Sequence, residues 1–293
     1  MKTATDKTYS HILTLLFVII VNSAPLTAAE DIAITPDVVY GHKCGMALTM
    51  DVFQPKEGNG IGALFMVSGG WYSAWAPPEQ TMGLFRPLLD RGFTVFAVRH
   101  GSSPKFLIPE IVPDVRRSVR FVRQNAKRFK VDPDRLGVCG GSAGGHLSLV
   151  LGMMSDEGKP DAKDALQRVS SRVAAVVAYY PPTDLRPYVE PGNPRRKQFP
   201  ALQFDPNEAP ALSPLLHVSK DDPPTLLIHG DQDTLVPLWH SEKLNVALQE
   251  KGVASELLII KNAAHGFSGK DAKRASDAWV LWFEKHLTDR SND

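Results

Sequence analysis

The sequence predicts an α/β protein: a mostly parallel central sheet with helices on both faces and a short cap loop above it. Three observations carry that prediction. Short apolar runs of strand type alternate with stretches of helical spacing along nearly the whole chain. The run Leu136-Gly137-Val138-Cys139 leads straight into the turn Gly140-Gly141-Ser142-Ala143-Gly144. Two later apolar runs, at 225–228 and 256–260, are each followed within a few residues by a group with acid–base chemistry, Asp233 and His265.

Residues 1–29 read as a secretory signal peptide. Lys2 and Lys7 precede the apolar stretch 12–21, and Pro25 and small residues follow as far as Ala28-Ala29, where cleavage is expected. The stretch is too short to cross ~30 Å of hydrocarbon as a helix, so no stable membrane anchor is expected. An uncleaved anchor is the alternative, and no cysteine follows to carry a lipid. The expected location is secreted or periplasmic, and residues 30–293 are expected to form a single domain.

Residues 30–36 read as an unstructured lead-in. Residues 38–40 and 46–52 read as an antiparallel hairpin, because Met46, Leu48, Met50 and Val52 alternate with Ala47, Thr49 and Asp51. The apolar run 63–67 suits a strand buried on both faces. Thr81, Leu84, Phe85, Leu88 and Leu89 keep helical spacing up to a stop at Gly92, and 93–98 is the next strand. Val115, Val119, Val122 and Ala126 mark the inner face of a helix. Its other sides carry Arg116, Arg117, Arg120, Arg123, Lys127 and Arg128, which read as solvated surface. A strand at 136–139, a helix from near Ala143 and a strand at 173–180 follow. Residues 183–222 are rich in proline and long for a connection within a domain, as a cap or lid would be. A strand at 225–228, a helix through Leu244 and Leu248, a strand at 256–260 and a helix carrying Ala275, Ala278, Trp279, Trp282 and Phe283 close the chain.

G-x-S-x-G between a strand and a helix makes a turn so sharp that the serine takes strained angles and only small neighbours fit. The strain exposes the Ser142 hydroxyl at a helix start, where unpaired N–H groups can receive a developing oxyanion. A serine hydroxyl needs a base, and the base needs an orienting carboxylate. His265, in a loop after a strand and beside Gly266, is the candidate base. His240 opens a helix, and His286 sits in a last helical turn, where a cation would suit the dipole. Asp233 is the candidate acid, in register with Val236-Pro237, and Asp231 reads as a turn former. His229 is expected to bond at its strand end and His146 to be structural.

Ser142, Asp233 and His265 occur in the chain order of an α/β-hydrolase. From about Val38 to about Leu287 the chain resembles that superfamily, and within it the small secreted esterases of the acetyl-esterase, acetylxylan-esterase and hormone-sensitive-lipase-like branch. The resemblance implies an oxyanion hole from the main-chain N–H groups of Gly69, Gly70 and Ala143. Relatives commonly carry H-G-G-G-W at the first of these loops; here Val67 and Ser68 replace its histidine and first glycine. Trp71 and Tyr72, with Trp75, are candidates for the substrate pocket or for packing in a loop. His100 is a candidate substrate contact or a satisfied loop histidine. The resemblance implies hydrolysis of short carboxylic esters, among them acetyl esters of carbohydrate. A prolyl-oligopeptidase-like peptidase and a non-catalytic binding protein of the same fold are the alternatives.

The chain has 33 Lys and Arg against 32 Asp and Glu in 293 residues, and the two kinds balance beyond residue 29. Nothing in that balance points to nucleic acid, and a small-molecule or carbohydrate ester is the expected partner. The histidines are scattered and no H-E-x-x-H or C-x-x-C pair exists, so no metal or other cofactor is expected. Cys44, in the early edge hairpin, and Cys139, in the strand that feeds the turn at Ser142, are the only cysteines; in a fold of this kind they lie several strands apart and are expected to be free, buried thiols.

Overall fold

The structure, a computed structural model, describes residues 31–288. The expected signal peptide, residues 1–29, lies outside the described residues. Eight strands form one sheet: β1 (Ile32–Lys43), β2 (Met46–Pro55), β3 (Gly62–Met66), β4 (Thr94–Val98), β5 (Leu136–Gly141), β6 (Ala175–Tyr179), β7 (Thr225–Gly230) and β8 (Ser255–Ile260). Their order is β1-β2-β4-β3-β5-β6-β7-β8, and every pairing from β4 to β8 is parallel. Only β2 runs against its neighbours.

The helices are α1 (Pro78–Leu89), α2 (Ile108–Gln124), α3 (Ala126–Phe129), α4 (Ala143–Met153), α5 (Arg186–Val189), α6 (Pro194–Gln198), α7 (Trp239–Glu250) and α8 (Gly269–Leu287). Strand alternation sends side chains to two cores. Val95 and Ala97 of β4 join Phe85 and Leu88 of α1 and Trp279 and Phe283 of α8 on one face. Phe96 and Val98 join Val119 of α2, Leu147 of α4 and Leu244 of α7 on the other. The chain steps outward from β3 to β4 and then returns past β3 to β5. Loops leaving β3 and β5 therefore diverge, and a crevice opens between them at the carboxyl ends of the strands.

Several expectations change. The lead-in is not unstructured: β1 begins at Ile32, opposite Pro55, because Ile32 and Ile34 cover the α1/α8 core. Cys44 is exposed, in the turn between β1 and β2, whereas Cys139 is buried as expected; neither is bridged. Four of the arginines on α2 do not face water. Arg116 and Arg120 donate to the carbonyls of Met154 and Val169, Arg123 to those of Ser170 and Arg172, and Arg117 and Arg120 pair with Asp164 and Asp156. They clamp the irregular segment 154–172, which presents its carbonyls to them. Only Lys127 and Arg128 are exposed as expected. The 183–222 segment folds into α5, α6 and four single 3₁₀ turns, each opened by a proline at Pro200, Pro206, Pro210 or Pro214.

Candidate active site

Ser142 stands between β5 and α4 with φ 54° and ψ −118°, the strained geometry expected of the turn. Its N–H donates to the Tyr179 carbonyl at 2.9 Å, and its own carbonyl accepts the N–H of His146 at 2.9 Å. The glycines are required by close backbone approach. A Cβ on Gly140 would lie 2.6 Å from the carbonyl carbon of Gly144, and one on Gly144 would lie 2.6 Å from the Met66 oxygen.

The acid and the histidine meet because β7 and β8 are parallel neighbours that end together, Gly230 opposite Ile260. Their following loops touch so closely that a Cβ on Gly230 would fall 2.2 Å from the Ala263 oxygen. Asp233 Oδ2 accepts from Nδ1 of His265 at 2.6 Å, and His265 Nε2 lies 2.9 Å from Ser142 Oγ. With Nδ1 donating to the carboxylate, Nε2 is the unprotonated nitrogen and faces the hydroxyl. Asp233 Oδ1 accepts the N–H groups of Leu235 and Val236, both at 2.9 Å. Burial alone would raise the Asp233 pKa, but hydrogen bonds from His229 and His265, the charge of His265 and the Val236 N–H hold it well below the usual range. The rival Asp231 accepts the Asn262 N–H and lies beside Lys261, away from this chain of bonds. His229 bonds locally, to Ser241 Oγ at 2.7 Å and the Val236 carbonyl at 2.8 Å, while its Nε2 lies 3.4 Å from Asp233.

Between β3 and α1, Gly69 and Tyr72 exchange both main-chain hydrogen bonds, each 3.0 Å, around Gly70 and Trp71 with φ of 57° and 62°. Positive φ at both central residues is the signature of a type I′ turn. The expected role of Gly69 is therefore corrected: its N–H is committed to the Tyr72 carbonyl. The N–H groups of Gly70 and Ala143 have no acceptor among the described residues, and Gly70 borders the same cleft as Ser142. Ser68 closes the gap behind them, its carbonyl accepting from Gly144 at 3.3 Å. Trp71 is buried, and its Nε1 donates to His146 Nδ1 at 3.3 Å, while Nε2 of His146 donates to the Leu212 carbonyl at 2.8 Å. His146 thus links the turn, α4 and the cap. Burial pushes its pKa down to about 4, so it makes these bonds as a neutral ring.

A narrow cleft, open to solvent, runs over Ser142, Gly70 and Trp71. Pro182, Tyr188, Arg195, Phe199 and Leu202 wall it from the cap side, and Leu235 and Val236 from the Asp233 loop. Three candidate contacts are absent from the cleft. Tyr72 holds the turn through its main chain and leaves its ring exposed. His100 is buried outside the cleft, with Nδ1 bonded to the Gly101 carbonyl at 2.9 Å, and burial pushes its pKa down to about 4. Trp75 is exposed and does not line the cleft. Sequence patterning missed Tyr188, Arg195, Phe199 and Leu202, since the only signal over them was the proline content of the segment. His286 is not the cation its helical position suggested; burial, then Lys285, lowers its pKa. A broader depression along 158–167 contains none of these groups. Among the described residues, no group of three or more His, Cys, Asp or Glu could hold a metal ion, and no helix is long and apolar enough to cross a membrane.

Comparison with known proteins agrees with this architecture. The esterase LipQ of Mycobacterium tuberculosis is 26% identical over 246 residues, which cover 80% of this chain and 57% of LipQ. The chain spans about half the length of the curated relatives it matches. A truncated carbohydrate esterase from gut microbiota superposes with a TM-score of 0.71 at 25% identity, covering 86% of this chain and 96% of that one. An acetyl ester-xyloside bifunctional hydrolase from Caldicellulosiruptor lactoaceticus gives 0.74 at 24% identity, covering 85% and 95%. A family model described as BD-FAE matches residues 50–248, from the second strand through the helix that follows the acid, and the chain belongs to that family of α/β-hydrolases.

Proposed function

We propose that this protein hydrolyses carboxylic esters through an acyl-enzyme on Ser142. The observation that carries the reading is the unbroken hydrogen-bonded chain from Ser142 Oγ through His265 to Asp233. His265 Nε2 takes the hydroxyl proton as Oγ bonds to the ester carbonyl carbon. The negative charge moves to the carbonyl oxygen, which accepts from the N–H groups of Gly70 and Ala143. The tetrahedral intermediate collapses, the bond to the alkoxy oxygen breaks, and His265 returns its proton to the leaving alcohol. Water, deprotonated by the same nitrogen, then attacks the acyl carbon; the bond from that carbon to Ser142 Oγ breaks, His265 returns the proton to Oγ, and the carboxylic acid leaves. Asp233 remains ionised throughout and balances the imidazolium.

The substrates we assign are short acyl esters, including acetyl groups on carbohydrate. The narrow cleft walled by Phe199 and Leu202 supports the short chain, and the likeness to a carbohydrate esterase supports the alcohol half. The basic, apolar and small-residue order of residues 1–29 supports export. The test is turnover of p-nitrophenyl acetate together with fluorophosphonate labelling. Wild type should show both, and Ser142→Ala should lose both. Equal labelling of the variant would move the nucleophile elsewhere. Ligand binding without turnover in wild type would favour the binding-protein alternative, and faster cleavage of a proline-ended peptide amide the peptidase.

A further inference from the structure

The cap side of the cleft presents hydrogen-bond donors with nothing to receive them. Tyr188, in α5, lines the cleft, and its Oη lies 2.7 Å from Nε2 of His240. The direction of that bond follows from the far side of the imidazole. Nδ1 of His240 accepts the main-chain N–H of Thr183 at 3.1 Å, so the neutral ring carries its proton on Nε2. The Thr183 hydroxyl donates to the His240 carbonyl at 2.9 Å with its oxygen 3.3 Å from Nδ1, and the main-chain N–H, which can only donate, is the nearer group and sets the tautomer. Burial pushes the His240 pKa down to about 3, so the ring stays neutral. Nε2–H therefore donates to Tyr188, and the tyrosine's own proton has no acceptor among the described residues. Burial raises the Tyr188 pKa to about 12, so that proton is retained at neutral pH.

Arg195, in α6, lines the same cleft. Two of the five N–H groups of its guanidinium are bonded, to Gln198 Oε1 at 2.8 Å and the Thr234 carbonyl at 3.0 Å, which fixes the group and leaves the others open. Among the described residues no carboxylate pairs with it. Its charge is felt at Tyr188, where it opposes the effects of burial and of the more distant Asp233 and Asp184 carboxylates. A fixed, half-buried cation and a committed hydroxyl donor, set among Trp71, Phe199 and Leu202, form a site that lacks only an anion. Apolar walls strengthen the attraction such a ligand would feel.

We propose that Arg195 and Tyr188 form a carboxylate-binding subsite, so that the cleft prefers esters carrying an anionic group near the scissile bond. His240 acts through Tyr188, as a positioning residue. The inference rests on the esterase reading and adds a substrate class to it.

The test compares pairs in which a free carboxylate is exchanged for its methyl ester, each rate being divided by that of the same compound's alkaline hydrolysis. One pair is p-nitrophenyl hydrogen adipate against p-nitrophenyl methyl adipate, with the charge in the acyl half. The other is 4-acetoxybenzoate against its methyl ester, read by acetate release, with the charge in the alcohol half. Wild-type kcat/KM should favour the anionic member of at least one pair by about tenfold, and the ratio should shrink as salt is raised. In Arg195→Gln that ratio should fall to about one, Arg195→Lys should keep part of it, and Tyr188→Phe should lower it. Equal kcat/KM in both pairs for the wild type overturns the proposal without any variant having to fold. A ratio that survives Arg195→Gln intact overturns it too. Turnover of neutral esters alone leaves the esterase reading standing and removes the subsite. No turnover of any ester and no labelling of Ser142 removes both.

Discussion

Asp233 is held in place before His265 reaches it. One oxygen accepts two main-chain N–H groups, and the other faces the two histidines. An amide cannot satisfy both sides. If its oxygen keeps the N–H groups of Leu235 and Val236, its NH₂ meets Nδ1 of His265, which must then give up its proton. Nε2 becomes a donor and can no longer accept from Ser142. Asp233→Asn should therefore fold, while kcat on p-nitrophenyl acetate falls by about 10³–10⁴ with KM little changed. A loss under about tenfold would remove Asp233 from the role. That Asp233, His265 and Ser142 come together was legible in the sequence because each follows a strand, and parallel strands end at one edge of the sheet. The fate of the Gly69 N–H was not, because it depends on a pair of positive φ angles at Gly70 and Trp71, and tryptophan does not advertise that conformation. Tyr188 and Arg195 were hidden for another reason. They lie in helices of four and five residues, too short to show a period from which a facing direction can be read.

Among the elements, α2 shows how a correct helix can still be misread. Its apolar face was legible from the spacing of Val115, Val119 and Val122, all fully buried. Its arginine face gives the same sequence pattern whether it meets water or the carbonyls of another segment. Arg123 donates to the carbonyls of Pro133, Ser170 and Arg172 at 3.1, 2.6 and 2.7 Å. Burial lowers its pKa, consistent with a guanidinium enclosed by the 154–172 segment. Arg123→Met keeps much of the aliphatic stem and strands those carbonyls, so it should cost about 2 kcal/mol. The loss should be local. Limited proteolysis should nick the variant within 154–172 at protease levels that leave the wild type whole, while turnover of p-nitrophenyl acetate persists. Equal resistance of the two proteins would mean that the segment is held by other contacts.

At the scale of the whole molecule, the interior stores titratable groups in one protonation state. His100, His146 and His240 are each buried as neutral rings, with pKa values pushed down to about 4, 4 and 3, chiefly by burial. Unfolding releases them to the ordinary value near 6.5. Between those limits the unfolded chain binds protons that the folded one refuses, so stability rises with pH and is lost as pH falls from about 6.5 toward 4. The three displacements act together against the ~5–15 kcal/mol that holds a domain folded. Asp233 acts in the same direction at still lower pH, because its folded pKa lies below the unfolded one and its stabilisation fades as the carboxylate is protonated. The urea midpoint should therefore be level near neutrality, decline from about pH 6.5, and leave little folded protein by about pH 4. Far-UV ellipticity follows this unfolding directly, as loss of helix. A midpoint that stays level down to about pH 4.5 would mean that the folded state takes up protons as readily as the unfolded chain. The histidine tautomers that tie Tyr188 of the cap to α7, and the cap to Trp71, would then need reassignment.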